Sequence, residues 1–266
     1  MTLQVIAMHG WGGDSRAWEP WRQLAEQRNW PWQSGERGYG SLPPFQPTWI
    51  PNGAATAGPR VLIGHSLGPH LVPANVLAAA DLVVLLASFG RFVPEGRDRR
   101  RLQRGLAGMA APLQAHLASG LETSESAVQS MLSAFLQQAA DPADAALLPP
   151  GPETDHITPA GCGRLLDDLE RLEQCDGLPT GFPAAAQVLI VEAEADRIVV
   201  PAARSLLRNA LPTAAMEVLP GAGHSLLQTN VVPLVFSWLE ARQSQWGQAG
   251  GSGSSASGPV PAGSPE

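Results

Sequence analysis

Lysine is absent from this chain: all 17 basic residues are arginine. That excludes Schiff-base chemistry, a lysine-anchored cofactor and a P-loop. Cysteine is scarce too. Cys162 and Cys175 are too few for a disulfide framework and lack metal-ligand spacing, which fits a reducing compartment better than an oxidising one. No apolar run approaches the roughly 18 residues of a membrane span. A formal charge of −7 argues against broad nucleic-acid binding, which needs cations spread over a face. The opening MTLQVIAMHG enters a strand-like run with no basic n-region or small-residue cleavage site. The expectation is a cytoplasmic protein without a signal peptide, with neither nucleic acid nor membrane as partner.

What is present suffices for a large core: 266 residues, 44% of them hydrophobic, as one large domain or one domain with an insertion. Short apolar runs at Leu3–Met8, Arg60–Gly64, Asp81–Ala87, Gln187–Val191 and Ala215–Leu219 suit strands buried on both faces of a parallel sheet. Between the third and fourth runs helical periodicity takes over, with candidate helices at Arg97–Leu117, Ser124–Ala140 and Pro159–Gln174. Thr158-Pro159 is a cap-plus-first-turn signal for the last of these, and Asn230 caps a final helix. Residues 31–60, rich in proline and glycine, resist assignment. The expected organisation is an α/β core in two parts, 1–90 and 184–246. A helical lid, 91–183, interrupts it, and a disordered Gly/Ser/Pro-rich tail, 247–266, follows.

Three strand ends carry residues that together make one reaction. In VLIGHSLGPH, Ser66 stands between Gly64 and Gly68 after a strand and before a helix. This is the context in which a sharp turn exposes a serine oxygen as a nucleophile. GxSxG alone is a weak signal, since the residues are common. Asp196, in EADRIVVP, follows the fourth strand run, on the sheet edge that the serine turn also faces. On its own it reads as a solvated loop carboxylate or a helix cap; Glu192 and Glu194 compete for the same role from closer to the strand. His224, in PGAGHS, follows the last strand, and taken alone is a surface-loop histidine. The chain order Ser66, Asp196, His224 is that of a serine–histidine–acid hydrolase. In HGWGG, the backbone N–H of Trp11 is expected beside that of Leu67, two donors for one oxyanion. His9 is expected to order this loop. His65 lies on the wrong side of the turn to deprotonate Ser66, and His70, His116 and His156 belong to no constellation.

With these motifs placed, the chain resembles an α/β-hydrolase from Leu3 to about Leu239, more weakly between 31 and 60. The HGWG loop, the GHSLG turn, DRIVVP and GAGHS are similar to those of the BioH-like esterases of biotin synthesis. The resemblance implies a mainly parallel sheet flanked by helices, with an inserted helical lid. It also implies hydrolysis of the methyl ester of pimeloyl-acyl carrier protein, with the oxyanion role on Trp11 and Leu67 and no metal or organic cofactor. The chain departs from that group in three places. Histidine precedes the serine where tryptophan is frequent, Pro69 replaces a glycine, and the stretch before Val61 is short enough to lack a flanking helix.

The segment RFVPEGRDRRRLQRGL places Arg97, Arg100, Arg101 and Arg104 at i, i+3, i+4 and i+7. On a helix these share one face, with Leu102, Leu106, Met109 and Leu113 opposite, facing the pocket. Such a cationic face suits an acidic acyl carrier protein presenting the acyl ester substrate; the plain alternative is a solvated helix surface. Two further alternatives stay open. One is a general short-chain carboxylesterase, thioesterase or other triad hydrolase or lyase of the same fold. The other is a catalytically silent binding protein.

Overall fold

In a computed structural model, residues 2–51, 58–119, 122–149, 151–227 and 230–251 are described. Six strands form one sheet: β1 (Gln4–Met8), β2 (Trp32–Gly35), β3 (Arg60–His65), β4 (Leu82–Leu86), β5 (Gln187–Ala193) and β6 (Ala215–Leu219). Their order is β2-β1-β3-β4-β5-β6 and every pairing is parallel. The fold class is therefore as expected, an α/β sheet flanked by helices. β2, at one edge of the sheet and mostly half-buried, is the segment WQSG and has no apolar run. It is the strand that sequence reasoning left unassigned.

The sheet's two faces split the core by the period-2 rule of strands. Ile6, Met8, Leu62, Val83, Leu85, Val188 and Ile190 point to one side. Val5, Ala7, Val61, Ile63, Val84, Leu86, Leu189 and Val191 point to the other. The second face is covered by α1 (Glu19–Gln27), through Trp21 and Ala25, and by α8 (Val231–Gly251), through Val235, Phe236 and Leu239. Asp14 caps a 3₁₀ turn, Ser15–Trp18, rather than α1 itself, accepting from the Arg16 N–H at 2.9 Å. α8 runs on to Gly251, so the helix takes in the first residues of the segment read as tail; 252–266 lie outside the described residues.

The first face carries two short helices, α2 (Gly68–Leu71) and α3 (Ala74–Ala78), and, after β5, α7 (Pro201–Ala210). It also carries the helices between β4 and β5: α4 (Arg99–Ser119), α5 (Glu122–Ala140) and α6 (Pro159–Gln174). Among the described residues of 91–183 there is no strand. Leu102, Leu106 and Leu113 of α4 pack with Leu165, Leu169 and Leu172 of α6 in the same cluster as the sheet. The apolar face of α4 is thus spent on its neighbour helix and the core, and contributes nothing to the wall of the cavity described below, contrary to expectation. Helix α6 starts as its sequence requires, with the Thr158 side chain accepting from the Gly161 N–H at 3.1 Å.

α4 begins at Arg99, not at Arg97. Gly96, at φ 104°, turns the chain, and the first helical bond runs from the Leu102 N–H to the Asp98 carbonyl at 3.0 Å. Arg97 lies in the preceding turn, so the four arginines do not form one face of a single helix. Arg101 reaches Asp98 at 3.4 Å and Arg99 reaches Glu95 at 2.5 Å. Among the described residues, Arg97, Arg100 and Arg104 pair with no carboxylate; all are exposed.

Candidate active site

The sheet order reverses at β1: β2 lies on one side of it and β3 on the other. A crevice opens outside the carboxyl ends of the strands at such a reversal, and ligands of open α/β sheets bind there. The register brings Met8 opposite Gly64, His65 opposite Leu86, Leu86 opposite Val191 and Ala193 opposite Leu219. Whatever follows these strands emerges on one rim. Those followers are the HGWGG loop, Ser66, Asp196 and His224.

Ser66 follows β3 directly and takes φ 54°. A side chain other than glycine in that region is strained by about 1–3 kcal/mol, and the surroundings must over-determine it. They do. The Ser66 N–H donates to the Leu86 carbonyl at 2.9 Å, and its own carbonyl accepts from Ser88 Oγ at 2.7 Å. The glycines are demanded by contact: a Cβ on Gly64 would run into the Pro69 ring, and one on Gly68 into the Met8 carbonyl. A Cβ on Gly10 would stand 2.8 Å from that of Ser66. This last contact brings the loop after β1 against the serine turn.

Asp196 and His224 meet, with His224 Nδ1 2.9 Å from Asp196 Oδ2 and both residues buried. The other carboxylate oxygen accepts from the Ile198 and Val199 N–H groups at 2.8 and 2.9 Å. Burial alone would push this carboxyl up. The neighbouring His224 and the two backbone donors outweigh it and hold Asp196 below the usual carboxylate range. Because the acid accepts at Nδ1–H, the Nε2 of a neutral His224 is left with its lone pair, as a general base requires. Among the described residues neither His224 Nε2 nor Ser66 Oγ has a hydrogen-bond partner. Such bonds often tighten only when substrate is bound.

The competing acids are engaged elsewhere. Glu192 is held by Arg208 at 2.9 Å and Glu194 by the Gly221 N–H at 2.8 Å. His9 orders its loop as expected: its Nδ1 lies 2.8 Å from the Gly10 carbonyl, and its Nε2 accepts from the Arg37 N–H at 3.2 Å. Nδ1 thus faces an acceptor and Nε2 a donor. Beside it, Glu36 accepts from the N–H groups of Ser15 and Gly38. Burial opposes ionisation there, but His9 and those two donors bring Glu36 down to about 2. Trp11 is anchored sideways, its indole N–H donating to the Leu165 carbonyl of α6 at 2.9 Å and its ring meeting Phe135 edge-on at 5.0 Å. Among the described residues the backbone N–H groups of Trp11 and Leu67 have no partner. An orphaned donor in a buried turn is available to an oxyanion.

A cavity of about 510 Å³ adjoins these groups, within the size range of small-molecule sites. Gly10, Trp11, His65 and His224 form its core side, and Phe135, Ala139, Leu147 and Leu148 its insert side. Ser66 and Leu67 are not part of that wall. The wall from the insert comes from α5 and the segment after it, where no sequence signal pointed. Two other histidines are held in local contacts away from this site: His70 bonds the Phe89 carbonyl at 3.0 Å and stacks on its ring, and His156 pairs with Glu125 at 2.7 Å. The two cysteines are free.

Comparison with known proteins gives one family. Its model, described as the Alpha/beta hydrolase family, matches residues 5–233. No curated protein matches the chain. Among solved structures, the chain is similar to a thermophilic esterase from Thermogutta terrifontis, with 16% identity, 91% of each chain covered and a TM-score of 0.59. It is similar to an enol-lactonase from Burkholderia xenovorans, with 13% identity, 92% of each chain covered and a TM-score of 0.59. An esterase from a Rhodococcus species matches with 15% identity over 92% of this chain and 91% of that one, at a TM-score of 0.53. At such identities the likeness is one of fold.

Proposed function

The chain belongs to the alpha/beta hydrolase family, and from that premise we propose that it is a serine carboxylesterase whose substrate is the methyl ester of pimeloyl-acyl carrier protein. His224 takes the proton of Ser66 as the serine oxygen attacks the ester carbonyl, and Asp196 holds the imidazole in its Nδ1–H tautomer and stabilises the imidazolium. The N–H groups of Trp11 and Leu67 receive the oxyanion. Methanol leaves with the proton from His224. Water activated by the same base then opens the acyl-enzyme to the free acid.

The observation that carries this reading is the buried Asp196–His224 pair on the rim where Ser66 is held at φ 54°. The prediction is that Ser66→Ala removes turnover of simple esters and covalent labelling by a fluorophosphonate. Labelling that survives in Ser66→Ala refutes the nucleophile. A native chain that neither labels nor hydrolyses is a binding protein.

The substrate class draws on the BioH-like motifs, on a cavity lined from the insert by apolar side chains, and on Arg97, Arg100 and Arg104, exposed and unpaired with acids among the described residues. On a protein of net charge −7, such a cationic patch steers an acidic carrier. Reversing Arg100 and Arg104 to glutamate is expected to lower activity on the carrier-bound ester about tenfold or more and leave small esters unaffected. Equal losses on both remove the carrier. Failure to complement a biotin auxotroph lacking its pimeloyl-ester esterase, with good activity on simple esters, favours the general carboxylesterase.

A further inference from the structure

We propose that His65 is a positioning residue for this reaction, tying the backbone of the base His224 to the turn that carries the nucleophile. The inference rests on the assignment of Ser66 and His224 given above.

The loop bearing His224 is gripped from the insert. The Ser225 N–H donates to the Ala139 carbonyl at 2.9 Å, and a Cβ on Gly223 would collide with the Asp141 carbonyl. Asp196 orients the imidazole itself. Neither contact reaches the serine turn. Among the described residues, one hydrogen bond joins the two loops: His65 Nε2 to the His224 carbonyl, at 2.9 Å. His65 is the last residue of β3 and Ser66 the next. The residue beside the nucleophile therefore holds the main chain of the base, across 159 positions of sequence.

A carbonyl only accepts, so His65 Nε2 carries the proton and Nδ1 is bare in the neutral ring. The two rings stand 5.0 Å apart at 50°, neither stacked nor bonded to each other, so the carbonyl contact is the connection. Desolvation, and then the charge His224 takes up, bring His65 down to about 4. It stays neutral while His224 cycles its proton, and so adds no positive charge against the imidazolium that forms. His65 never exchanges a proton with Ser66. Its part is to keep the serine oxygen and His224 Nε2 in register, where a misplacement of about 1 Å costs on the order of a hundredfold in rate.

The test compares His65→Phe, which keeps a ring and loses the donor, with His65→Gln, which keeps an N–H at similar reach. Initial rates on a p-nitrophenyl ester are divided by sites titrated with a fluorophosphonate, so that misfolded protein does not count. His65→Phe is expected to lower kcat per titrated site about 10- to 100-fold with KM within twofold, and His65→Gln to recover most of the loss. Wild-type kcat per site in His65→Phe, or a glutamine variant no better than the phenylalanine one, overturns the proposal and makes His65 a packing residue. Should His65→Phe fail to fold, His65→Met against His65→Gln decides in the same way. Ser66→Ala is run alongside. Turnover there defeats the nucleophile and this proposal with it, whereas a dead and unlabelled Ser66→Ala lets the His65 result stand alone.

Discussion

The rim of the sheet and the helical insert are held in place by different physics. At the rim, position follows from backbone: strand register, a serine at positive φ, and glycines that admit carbonyls and Cβ atoms at contact distance. At the insert, position follows from a few polar side chains far apart in sequence. Asp168 of α6 is fully buried, accepting from Arg37 Nε and Nη2 at 2.8 and 2.9 Å and from the Tyr39 hydroxyl at 2.6 Å. Arg164 donates to the Gly38 carbonyl at 2.9 Å, and Asp155 accepts from Arg16 at 2.8 Å and from Ser41 Oγ at 2.7 Å. The whole turn 36–41 acts as the clamp. The rim tolerates little change in shape; the clamp tolerates little change in charge.

The sharpest way to break the comparison is at the rim. Gly68→Val sets a branched side chain against the Met8 carbonyl, and no side-chain rotation relieves a clash with main chain. Loss of soluble, labelling-competent protein is expected; a well-folded, active Gly68→Val refutes the claim that contact dictates this glycine. Next comes the clamp. Asp168→Ala leaves the Arg37 guanidinium and the Tyr39 hydroxyl without their acceptor, and breaking a buried ion pair in this way costs about 3–5 kcal/mol. Urea unfolding measures it, and a change below about 1 kcal/mol would class the pair with surface ion pairs.

The smallest effect joins the two regions. Glu36, the first residue of the clamp turn, stands beside His9 of the rim, and its folded value near 2 is below its ordinary one. The stability it supplies is therefore fully present above the ordinary glutamate range and is lost as pH falls towards about 2. Glu36→Gln is expected to be less stable at neutral pH and to show a shallower loss of stability below about pH 4.5. An acid-unfolding profile parallel to wild type would remove Glu36 from the account.

How far each region was legible follows from the same division. Apolar runs announced β1, β3, β4 and β5, which are buried almost throughout, and Thr158-Pro159 announced α6, because burial on both faces and capping chemistry act locally; the run at β6 also marks a strand, but at the sheet edge and mostly exposed rather than buried on both faces. Asp196 and His224 were legible as strand-end residues and are found bonded to each other. Asp168, inside LLDDLERL, looks like one more solvated helix position; its partners lie about 130 residues away, at a separation to which no periodicity refers. Spacing alone starts the helix at Arg97, directly after Gly96, whereas the chain is still turning there, with Gly96 at φ 104° and the helix beginning at Arg99. The cavity wall was misassigned to α4 because an amphipathic pattern states which side is buried and not what it is buried against.

By itself the sequence determined an α/β chain, the strand ends, and the three residue types that a hydrolase needs at them, since period and turn chemistry are local properties. Only the tertiary structure decided which helix walls the cavity, which arginines stay unpaired and which histidine bonds the His224 carbonyl. Those outcomes depend on what each side chain meets across the fold, and a linear spacing carries no distance in space.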